Sequence, residues 1–486
     1  MGLTIKGTLA EVSRHRNAYI LALSASMGSF FYGWDTGLMG GILTLASFQD
    51  YFGINKMSTS AQADFNGNIV SIMQGGSFFG VLGTSWTSSR FGRKWSLIAS
   101  GIIYIIGSLL QAIVGLGSNQ VVALRVLYFS RFFAGLGVGM VSALAPSYVS
   151  EDDVEFSSIN LPSGNMQWRM PFLVQLVPGI LFVLMMLPQP ESPRWLVRRG
   201  RCAEAAETLA YVVRTSVDDK AVLLTLDEIK ADFMGKQRVP MLMQFRMMGE
   251  SRKIALRCLI PSIAMFFQQW TGTNAINYFS PQIFAGLGIS GTTSGLFSTG
   301  IYGLVKVIAV GLTLALAVES WGRKICLFVG GLGQGFAMLW IGGFSAVHPQ
   351  TTIVPAGYVS IVAVYLYAVF YCIGWGPLPW VVASEVSPNH LRPAVMTCAV
   401  CVNWLFAFTI SRLTPAMLDH ITYGTFLLFG LCCIVMSAWV YFFLPETKGY
   451  ALEDIKYLFE KDIIVRSLED SPGGRVFLGG KRAASV

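Results

Sequence analysis

One acidic residue, Asp35, lies deep within an apolar stretch of the chain. At that depth in a membrane an unpaired carboxylate costs about 2.5 to 3.5 kcal/mol on insertion scales, so it needs a partner or a proton. Arg131, near the outer half of another apolar stretch, is the natural partner. A carboxylate whose affinity for a proton depends on whether an arginine is engaged can load and release that proton. Asp35 and Arg131 are therefore predicted to handle a proton, with a static structural ion pair as the alternative.

A second chemical signal is a group of amides, Gln268, Gln269 and Asn274, within one apolar segment. The two glutamines are adjacent, and Asn274 follows about one and a half helical turns later. Amides both donate and accept hydrogen bonds, which suits a ring of hydroxyl groups. The alternative is that they only hydrogen-bond neighbouring helices.

The composition indicates a membrane protein, so the residues above are expected to lie within membrane-spanning segments. Hydrophobic residues make up 53% of the chain, charged residues only 13%, and the mean hydropathy is +0.56, which excludes a water-soluble surface. The net charge of +8 is clustered between and beside apolar stretches, so it indicates cytoplasmic loops rather than nucleic-acid binding. The eight cysteines have no metal-ligand spacing and are interpreted as packing residues, and no metal or cofactor is predicted.

Eleven stretches are long and apolar enough to cross roughly 30 Å of hydrocarbon, which takes about 20 residues. They cover about residues 18–45, 66–88, 95–115, 121–149, 171–188, 258–284, 293–317, 325–346, 355–383, 395–417 and 421–444. Pro377 and Pro379 lie in the stretch 355–383, which would be the tenth span if no span were missing before it. These two prolines predict that this span is a broken helix.

A repeated basic turn divides the chain into two halves. Arg90-Phe91-Gly92-Arg93-Lys94 and Ser320-Trp321-Gly322-Arg323-Lys324 each follow an apolar stretch, 230 residues apart. This recurrence predicts a duplicated membrane bundle. The predicted regions are a cytoplasmic N-terminus (1–17), an N-terminal bundle (18–190), a cytoplasmic linker with short helices (191–257), a six-helix C-terminal bundle (258–444) and a cytoplasmic tail (445–486).

From about Tyr19 to Tyr450 the chain resembles the sugar porter family of the major facilitator superfamily, and most resembles its fungal hexose, pentose and quinate proton symporters. The motifs that carry the resemblance are Gly33-Trp34-Asp35-Thr36-Gly37, Arg131 with Gly135, Gly137, Gly139, Tyr148 and Glu151, Pro190 to Leu196, Gln268 to Asn274 with Tyr278, Gly376 to Trp380 with Ser384, Glu385 and Arg392, and Pro445 to Gly449. The resemblance implies an all-α fold of two bundles, normally with six helices each. In this family an acid at the position of Asp35 is typical of proton symporters.

The resemblance also implies roles for individual residues. Tyr278, Trp380, Asn403 and Trp404 are expected to join the amides in binding substrate. For Trp380, Asn403 and Trp404 plain packing is the alternative. The gating residues implied are Arg90, Gly92, Arg93, Lys94, Glu151, Glu191, Arg194, Glu319, Gly322, Arg323, Lys324, Glu385 and Arg392. Two positions depart from the pattern: Ser89 stands where an acid is usual and Ser320 where an arginine is usual, so the gating balance is expected to differ.

Lys306 lies in the middle of the eighth span of the family pattern, near where sugar carriers place an asparagine. A cation at that depth demands an anion. A substrate carboxylate would supply one and would indicate quinate or a sugar acid. The alternatives are that Lys306 extends toward the membrane surface or contacts backbone carbonyls.

The largest departure follows Glu151. The family continues there into a basic loop and a fifth helix, whereas Asp152, Asp153 and Glu155 make an acidic start here, and family-like sequence resumes near Leu161. The fifth helix is predicted to be absent, so the chain has about eleven spans. One span cannot join two cytoplasmic ends. Either residues 171–188 fail to span, or everything after them is inverted against its charge, or the sequence reflects an exon loss or a gene-model error. The last alternative is favoured and predicts that a full-length transcript carries a further stretch of roughly 40 residues.

These features predict a multi-pass protein, expected in the plasma membrane, that carries a monosaccharide with a proton by alternating access. The partners expected are a sugar, polyol or acid substrate, protons and the lipid bilayer, with no nucleic acid, and the chain is expected to be monomeric. The alternatives are a quinate or sugar-acid proton symporter, a non-functional variant and a nutrient sensor. No residue set predicts an enzyme, and no phosphate-cradling motif indicates ATP as the driver.

Overall fold

The structure is a computed structural model that describes residues 16–117, 119–144, 164–234, 241–286, 292–348, 355–388, 390–450, 454–459 and 463–469. These residues form helices joined by turns and contain no strand. Among the described residues, eight helices are long and apolar enough to cross a membrane. The predicted all-α, multi-pass architecture is confirmed, and the count of eleven spans stays a prediction.

The N-terminal half contains seven helices within its described residues. They are α1 (Arg16–Ile42), α2 (Ala46–Phe52), α3 (Thr59–Phe91), α4 (Arg93–Ile113), α5 (Gln120–Leu144), α6 (Asn165–Val174) and α7 (Leu176–Met186). Helices α6 and α7 together make one membrane-length helix with a bend at Gln175. Pro171 and Pro178 flank this bend, and each lacks the N–H that would continue the helical hydrogen bonds.

Four short helices follow in the polar region between the halves. They are α8 (Pro193–Arg198), α9 (Cys202–Val213), α10 (Lys220–Met234) and α11 (Met241–Met247). Leu196, Ala205, Ala210, Val222 and Leu226 form a small apolar core of their own within this region.

The C-terminal half contains the remaining described helices. They are α12 (Arg252–Trp270), α13 (Thr273–Gly286), α14 (Thr292–Leu312), α15 (Val318–Trp321), α16 (Arg323–Val347), α17 (Pro355–Ile373), α18 (Leu378–Val386), α19 (Arg392–His420), α20 (Tyr423–Phe443) and α21 (Ile463–Glu469). A π-helical turn, Thr313–Ala317, joins α14 to α15. The pairs α12–α13 and α17–α18 are interrupted helices, as Pro377 and Pro379 predicted for the second pair.

The two halves pack against each other along α3 and α19, which run antiparallel. The Arg412 guanidinium lies 2.8 Å from the Asp64 carboxylate at one end of this contact. Toward the other end, the hydroxyl oxygens of Ser85 and Thr397 are 3.2 Å apart. A second contact joins α1 to α13, where a Cβ added to Gly40 would meet backbone oxygens of α13. Helices α1 and α13 carry Asp35 and Asn274 respectively, so this contact brings the two predicted sites close together.

The contacts of helix α4 show in which directions α5 and α6 run in the N-terminal half. Helix α5 follows it after a short connection and runs antiparallel to it, with Gly137 packed against Ser100. Helix α6 begins beside the end of α4, where Arg169 Nε donates to the carbonyl oxygen of Ala112 at 2.8 Å. The end of α5 and the start of α6 therefore lie at opposite ends of the bundle. The predicted continuation of the fourth span to residue 149 and the acidic segment after it lie outside the described residues.

Candidate functional site

Asp35 and Arg131 form a buried two-point ion pair between α1 and α5. Arg131 Nη1 lies 3.2 Å from Asp35 Oδ1, Nη2 lies 3.1 Å from Oδ2, and both side chains are fully buried. A bidentate arginine–carboxylate pair fixes orientation as well as charge. The pairing that the sequence predicted across 96 residues is present.

Other polar groups satisfy the rest of this pair. Arg131 Nε donates to the carbonyl oxygen of Ile69 at 2.6 Å, and Nη1 also lies 3.5 Å from Gln111 Oε1. Gln175 Nε2 donates to Asp35 Oδ1 at 3.0 Å and lies 2.7 Å from the Tyr104 hydroxyl. The arrangement matches a charged Asp35 carboxylate, because every group that faces it in these contacts is a donor.

Gln175 was missed at the sequence level. It lies at the bend between α6 and α7, and its side chain is fully buried. The available signal was an amide within an apolar helix between Pro171 and Pro178, where backbone and side-chain polar groups need partners.

The second half of the site is built on the interrupted helices α12–α13 and α17–α18. Gln268 Nε2 donates to the carbonyl oxygens of Trp375 at 2.8 Å and Gly376 at 2.9 Å. In a continuous helix the Trp375 carbonyl would pair with the N–H of Pro379, which proline lacks. Asn403 Nδ2 then donates to Gln268 Oε1 at 2.8 Å. Gln268 therefore holds the broken helix in place and connects it to α19.

Gln269 and Asn274 face each other across the break between α12 and α13. Asn274 Nδ2 donates to Gln269 Oε1 at 2.7 Å. The chain turns sharply between them at Gly272, whose φ is +85°. No hydrogen bond within the described residues uses Gln269 Nε2 or Asn274 Oδ1, and the predicted contact of these two residues with substrate stays a prediction.

Tyr278 connects the two halves. Its hydroxyl oxygen lies 2.8 Å from the side-chain amide of Gln74 on α3 and 3.3 Å from Thr36 Oγ1 on α1. Thr36 directly follows Asp35 in the sequence, so Tyr278 contacts the residue next to the ion pair. In this conformation its hydroxyl links the bundles, and its predicted contact with substrate stays a prediction.

The two predicted tryptophans lie where the bundles meet. Trp404 Nε1 donates to Ser142 Oγ at 2.9 Å and thereby joins α19 to α5. Trp380 is 8% exposed and belongs to the same apolar cluster as Trp404, with Phe31 and Met73 of the N-terminal half. Lys306 is on α14, 1% exposed, with Nζ 3.4 Å from Asn277 Oδ1.

The repeated basic turns have the same local structure in both halves. Gly92 has φ +95° and Gly322 has φ +90°, each between two helices. Glu191 accepts from the backbone N–H of Arg93 at 2.9 Å, and Glu446 accepts from that of Arg323 at 2.9 Å. In each half an acid thus caps the N-terminus of the helix that follows the turn, where a negative charge is favourable.

The C-terminal turn also carries an ion pair. Arg323 Nη2 lies 2.9 Å from Glu385 Oε1, and Thr447 Oγ1 donates to Glu385 Oε2 at 2.7 Å. Lys324, predicted to gate, is buried and donates to the carbonyl oxygen of Tyr441 at 3.0 Å and to Ser467. It therefore anchors α21 against α20.

Among the remaining predicted gating residues, Arg194 lies near the N-terminal turn, where burial and then the charge of Arg194 lower the pKa of Arg93. Arg90 is exposed and its guanidinium lies 5.4 Å from the Trp86 ring centre, and Arg194 is exposed on α8. Arg392 is half-buried at the start of α19. The Glu319 backbone lies in α15, whereas its side chain and all of Glu151 lie outside the described residues.

We expect Gly322→Ala to lower the midpoint of thermal unfolding by several degrees. Alanine disfavours the φ of +90°, and its Cβ would collide with the Glu446 carboxylate that caps α16. Scanning fluorimetry of the purified protein measures the effect. Gly343→Ala is the matched control, because it lies within α16 with open space around it. Equal midpoints for the two variants would contradict the assigned role of the turn.

Comparison with known proteins gives consistent matches over almost the whole chain. The family model described as "Sugar (and other) transporter" matches residues 21–152 and 154–459. A probable quinate permease of Neosartorya fischeri is 33% identical over 93% of this chain and 89% of its own length. A quinate permease of Emericella nidulans is 33% identical over 91% of this chain and 88% of its own length.

Solved structures match in fold. The proton:xylose symporter XylE bound to 6-bromo-6-deoxy-D-glucose has a TM-score of 0.74 at 24% identity, covering 92% of this chain and 100% of that one. The inward-open XylE from E. coli has a TM-score of 0.71 at 23% identity, covering 91% of this chain and 100% of that one. These matches place the chain in the two-bundle fold of the major facilitator superfamily.

The alignment with one relative also includes positions that this chain lacks. The alignment with the Neosartorya fischeri relative has 488 positions, whereas 93% of 486 residues is about 452, so about 36 positions are filled only in the relative. The family match is itself divided at Asp153.

Proposed function

We propose that this chain, which belongs to the sugar transporter family, is a secondary active carrier that moves a monosaccharide or a related polyhydroxylated molecule across the plasma membrane together with a proton. The observation that carries the proposal is the fully buried Asp35–Arg131 pair, with Gln175 as a further donor to the acid. A buried carboxylate held by donors can exchange a proton only when those donors rearrange. Proton binding is thereby tied to a change of conformation.

The coupling path runs from Asp35 to the amides of the other half. Protonation of Asp35 weakens its attraction to Arg131 and lets α1 move. Because Thr36 on α1 contacts Tyr278 on α13, such a movement alters the closure of α1 on the helix that carries Asn274. Substrate on Gln269 and Asn274 would favour one position of α13, so substrate and proton bias the same movement.

The energy available is sufficient for accumulation. One proton crossing a potential of 100 mV supplies about 2.3 kcal/mol, which corresponds to roughly a fifty-fold concentration ratio for a neutral substrate. The family and the named relatives are transporters and permeases, and no enzymatic activity is proposed.

The test is uptake of labelled glucose, xylose and quinate by transporter-null cells that express the chain. We expect accumulation of at least one of them, stimulated by an inward proton gradient and abolished by a protonophore. Uptake that only equilibrates and ignores the protonophore would contradict proton coupling. Cells expressing Asp35→Asn at equal membrane levels serve as the comparison.

We also propose that the chain lacks the fifth helix of the bundle. The roughly 36 positions that this chain lacks in that alignment and the division of the family match at Asp153 support this. The positions of α5 and α6 also support it, because the end of α5 and the start of α6 lie at opposite ends of the bundle. Residues 145–163 join them in the sequence, and they include Glu151, Asp152, Asp153 and Glu155, which suit a membrane span poorly.

The neighbourhood of α14 is consistent with such a loss. Helix α3 of the N-terminal half packs along α19 of the C-terminal half. If the two halves are related by internal symmetry, a fifth helix of the N-terminal half would pack along α14. Among the described residues no N-terminal helix packs closely along α14. Instead α14 exposes an apolar stripe, with Leu304 59%, Ile308 54% and Leu312 56% exposed. A chain with this wall open is expected to transport less well than its complete relatives.

A further inference from the structure

Gln175 is the contact of Asp35 that can serve the acid in both of its protonation states. Among the described residues, the side chains that hydrogen-bond the Asp35 carboxylate are those of Arg131 and Gln175. A guanidinium group only donates hydrogen bonds, whereas a side-chain amide carries two N–H donors and a carbonyl acceptor. A protonated Asp35 has an O–H that needs an acceptor, and Gln175 is placed to supply one.

The amide of Gln175 is now oriented for the charged form of the acid. Its Nε2 lies 3.0 Å from Asp35 Oδ1 and 2.7 Å from the Tyr104 hydroxyl oxygen, so both of its N–H groups are used. Its Oε1 is buried and has no hydrogen-bond partner among the described residues. The charge of Asp35 fixes this orientation, because a carbonyl oxygen in place of Nε2 would face a carboxylate that has no hydrogen to donate.

Tyr104 connects this amide to the backbone of α1. Its hydroxyl donates to the carbonyl oxygen of Phe31 at 3.0 Å. In an α-helix the same carbonyl accepts from the N–H four residues later, which is that of Asp35. A change in the hydrogen bond of Tyr104 therefore acts on the helical turn that carries the acid.

Rotation of one side-chain bond would fit Gln175 to the protonated acid. Turning the amide by about 180° exchanges Oε1 and Nε2, and rotation about this last bond of glutamine has broad, two-fold preferences. The oxygen would then accept from the O–H of Asp35 and from that of Tyr104. Because Tyr104 has a single O–H, it would release the Phe31 carbonyl. The exchanged nitrogen would lie where Oε1 has no partner, so the reversed amide favours a movement of α1 or α7 that provides one.

We propose that Gln175 is a positioning residue of the proton site, whose amide reverses when Asp35 takes up a proton and transmits this change through Tyr104 to α1. The inference rests on the proton-coupled function proposed above and names the group that responds to the proton. The titratable groups that face Asp35 are Arg131 from α5 and Tyr104 from α4. In the described part of the chain, α7, α9 and α13 bring no charged group into contact with it.

The experiment follows the protonation of Asp35 by infrared difference spectroscopy of the purified full-length chain in lipid as the pH is lowered. The C=O band of the protonated acid is assigned to Asp35 by its absence from Asp35→Asn. The accompanying change in side-chain amide bands is assigned to Gln175 by its absence from Gln175→Met. Heavy nitrogen in the glutamine side chains of the unaltered chain identifies the same amide change, so the test does not depend on the folding of a variant.

Gln334→Met is the matched control for Gln175→Met. Gln334 is also a fully buried glutamine of a membrane-length helix, and its Nε2 donates to the carbonyl oxygen of Gly330 at 3.0 Å. Its Oε1 likewise has no partner among the described residues. What Gln334 lacks is an acid in contact with its amide, so the two substitutions differ in the feature under test.

We expect the pH at which half of the Asp35 acid band has formed to rise by roughly one unit in Gln175→Met. The charged carboxylate loses a charge-assisted hydrogen bond, whereas the protonated acid loses a weaker neutral one, so the proton is held more tightly. Gln334→Met should leave this pH unchanged. Tyr104→Phe should keep the acid band but lose proton-driven accumulation of labelled glucose, xylose and quinate in proteoliposomes, because the connection to α1 is cut.

Three results would overturn the inference. They are an acid band that forms at the same pH in Gln175→Met as in the wild type, a wild-type spectrum without a glutamine change when the acid band forms, and full accumulation by Tyr104→Phe. If the wild type shows proton-driven uptake together with any of these results, the inference fails alone and the transport proposal stands. An acid band that responds to Gln175→Met as expected, in a chain without proton-driven uptake, would support the role of Gln175 at the proton site and reject the transport proposal.

Discussion

Replacing Asp35 with asparagine is expected to abolish accumulation of substrate against its gradient. Asparagine has nearly the same shape as aspartate but neither charges nor takes up a proton at physiological pH. For a neutral substrate, the concentration ratio should fall from about fifty, which a 100 mV potential allows, to about one. Uptake by Asp35→Asn should also become independent of external pH, whereas uptake by the wild type should rise as external protons become more abundant. Flux measurements in proteoliposomes with an imposed pH gradient check both results.

The variant also leaves Arg131 without its acid, and a buried charge that has lost its partner is destabilising by about 3 to 5 kcal/mol. Loss of accumulation must therefore be separated from loss of fold. Exchange of labelled for unlabelled substrate across the membrane requires binding and alternating access but no net proton movement, so Asp35→Asn should retain it. The double variant Asp35→Asn with Arg131→Gln removes the unpaired charge and should behave like the single variant in exchange. Proton-driven accumulation by either variant would show that the proton binds elsewhere.

The Asp35–Arg131 pair was predictable because the membrane makes charge pairing almost obligatory. A buried acid and a buried arginine in different apolar stretches have few alternatives to each other, so separation in sequence does not obscure the pairing. Gln175 gave no comparable signal. A neutral amide can be satisfied by many partners, and its contact with Asp35 depends on the bend between α6 and α7.

The amide site was predictable in membership but not in its hydrogen bonds. Pro377 and Pro379 predicted an interrupted helix and freed carbonyls, and Gln268 was singled out as a polar residue in the same bundle. That Gln268 binds the carbonyls of Trp375 and Gly376 depends on how α12 packs against α17 and α18, which local sequence does not determine. The result is that the amide of Gln268 is occupied by protein on both its nitrogen and its oxygen, which the motif alone did not indicate.

The basic turns were predicted as a repeat, and their symmetry extends further than the motif. Glu191 and Glu446 lie far beyond their turns in sequence, yet each caps the helix that follows the glycine. Lys324 holds α21 in this structure, and its predicted gating role stays a prediction. Its burial depends on a tail helix whose docking the motif does not encode.

Supplying a fifth helix is expected to raise transport at least tenfold. The insertion would be a segment of about 36 to 40 residues that holds the fifth helix of a family member, placed between Asp152 and Val154 in exchange for Asp153. A span needs about 20 apolar residues, so this length holds one span and its loops. It would connect the end of α5 to the start of α6 across the membrane and cover the exposed stripe Leu304, Ile308 and Leu312.

A matched control separates a specific helix from mere length. A Gly/Ser insertion of the same length supplies chain but cannot satisfy its backbone polar groups in hydrocarbon, so it should not raise uptake. A span of generic apolar residues would restore the crossing but not the packing against α14, and we expect an intermediate gain. Equal transport by the unmodified chain and the restored chain would show that the residues between α5 and α6 already complete the bundle. The proposed loss of the fifth helix would then be wrong, together with the argument that the acidic residues of this segment suit a membrane span poorly. Transcripts that consistently lack the segment, together with such equal transport, would make the shortened bundle a functional form rather than an incomplete copy.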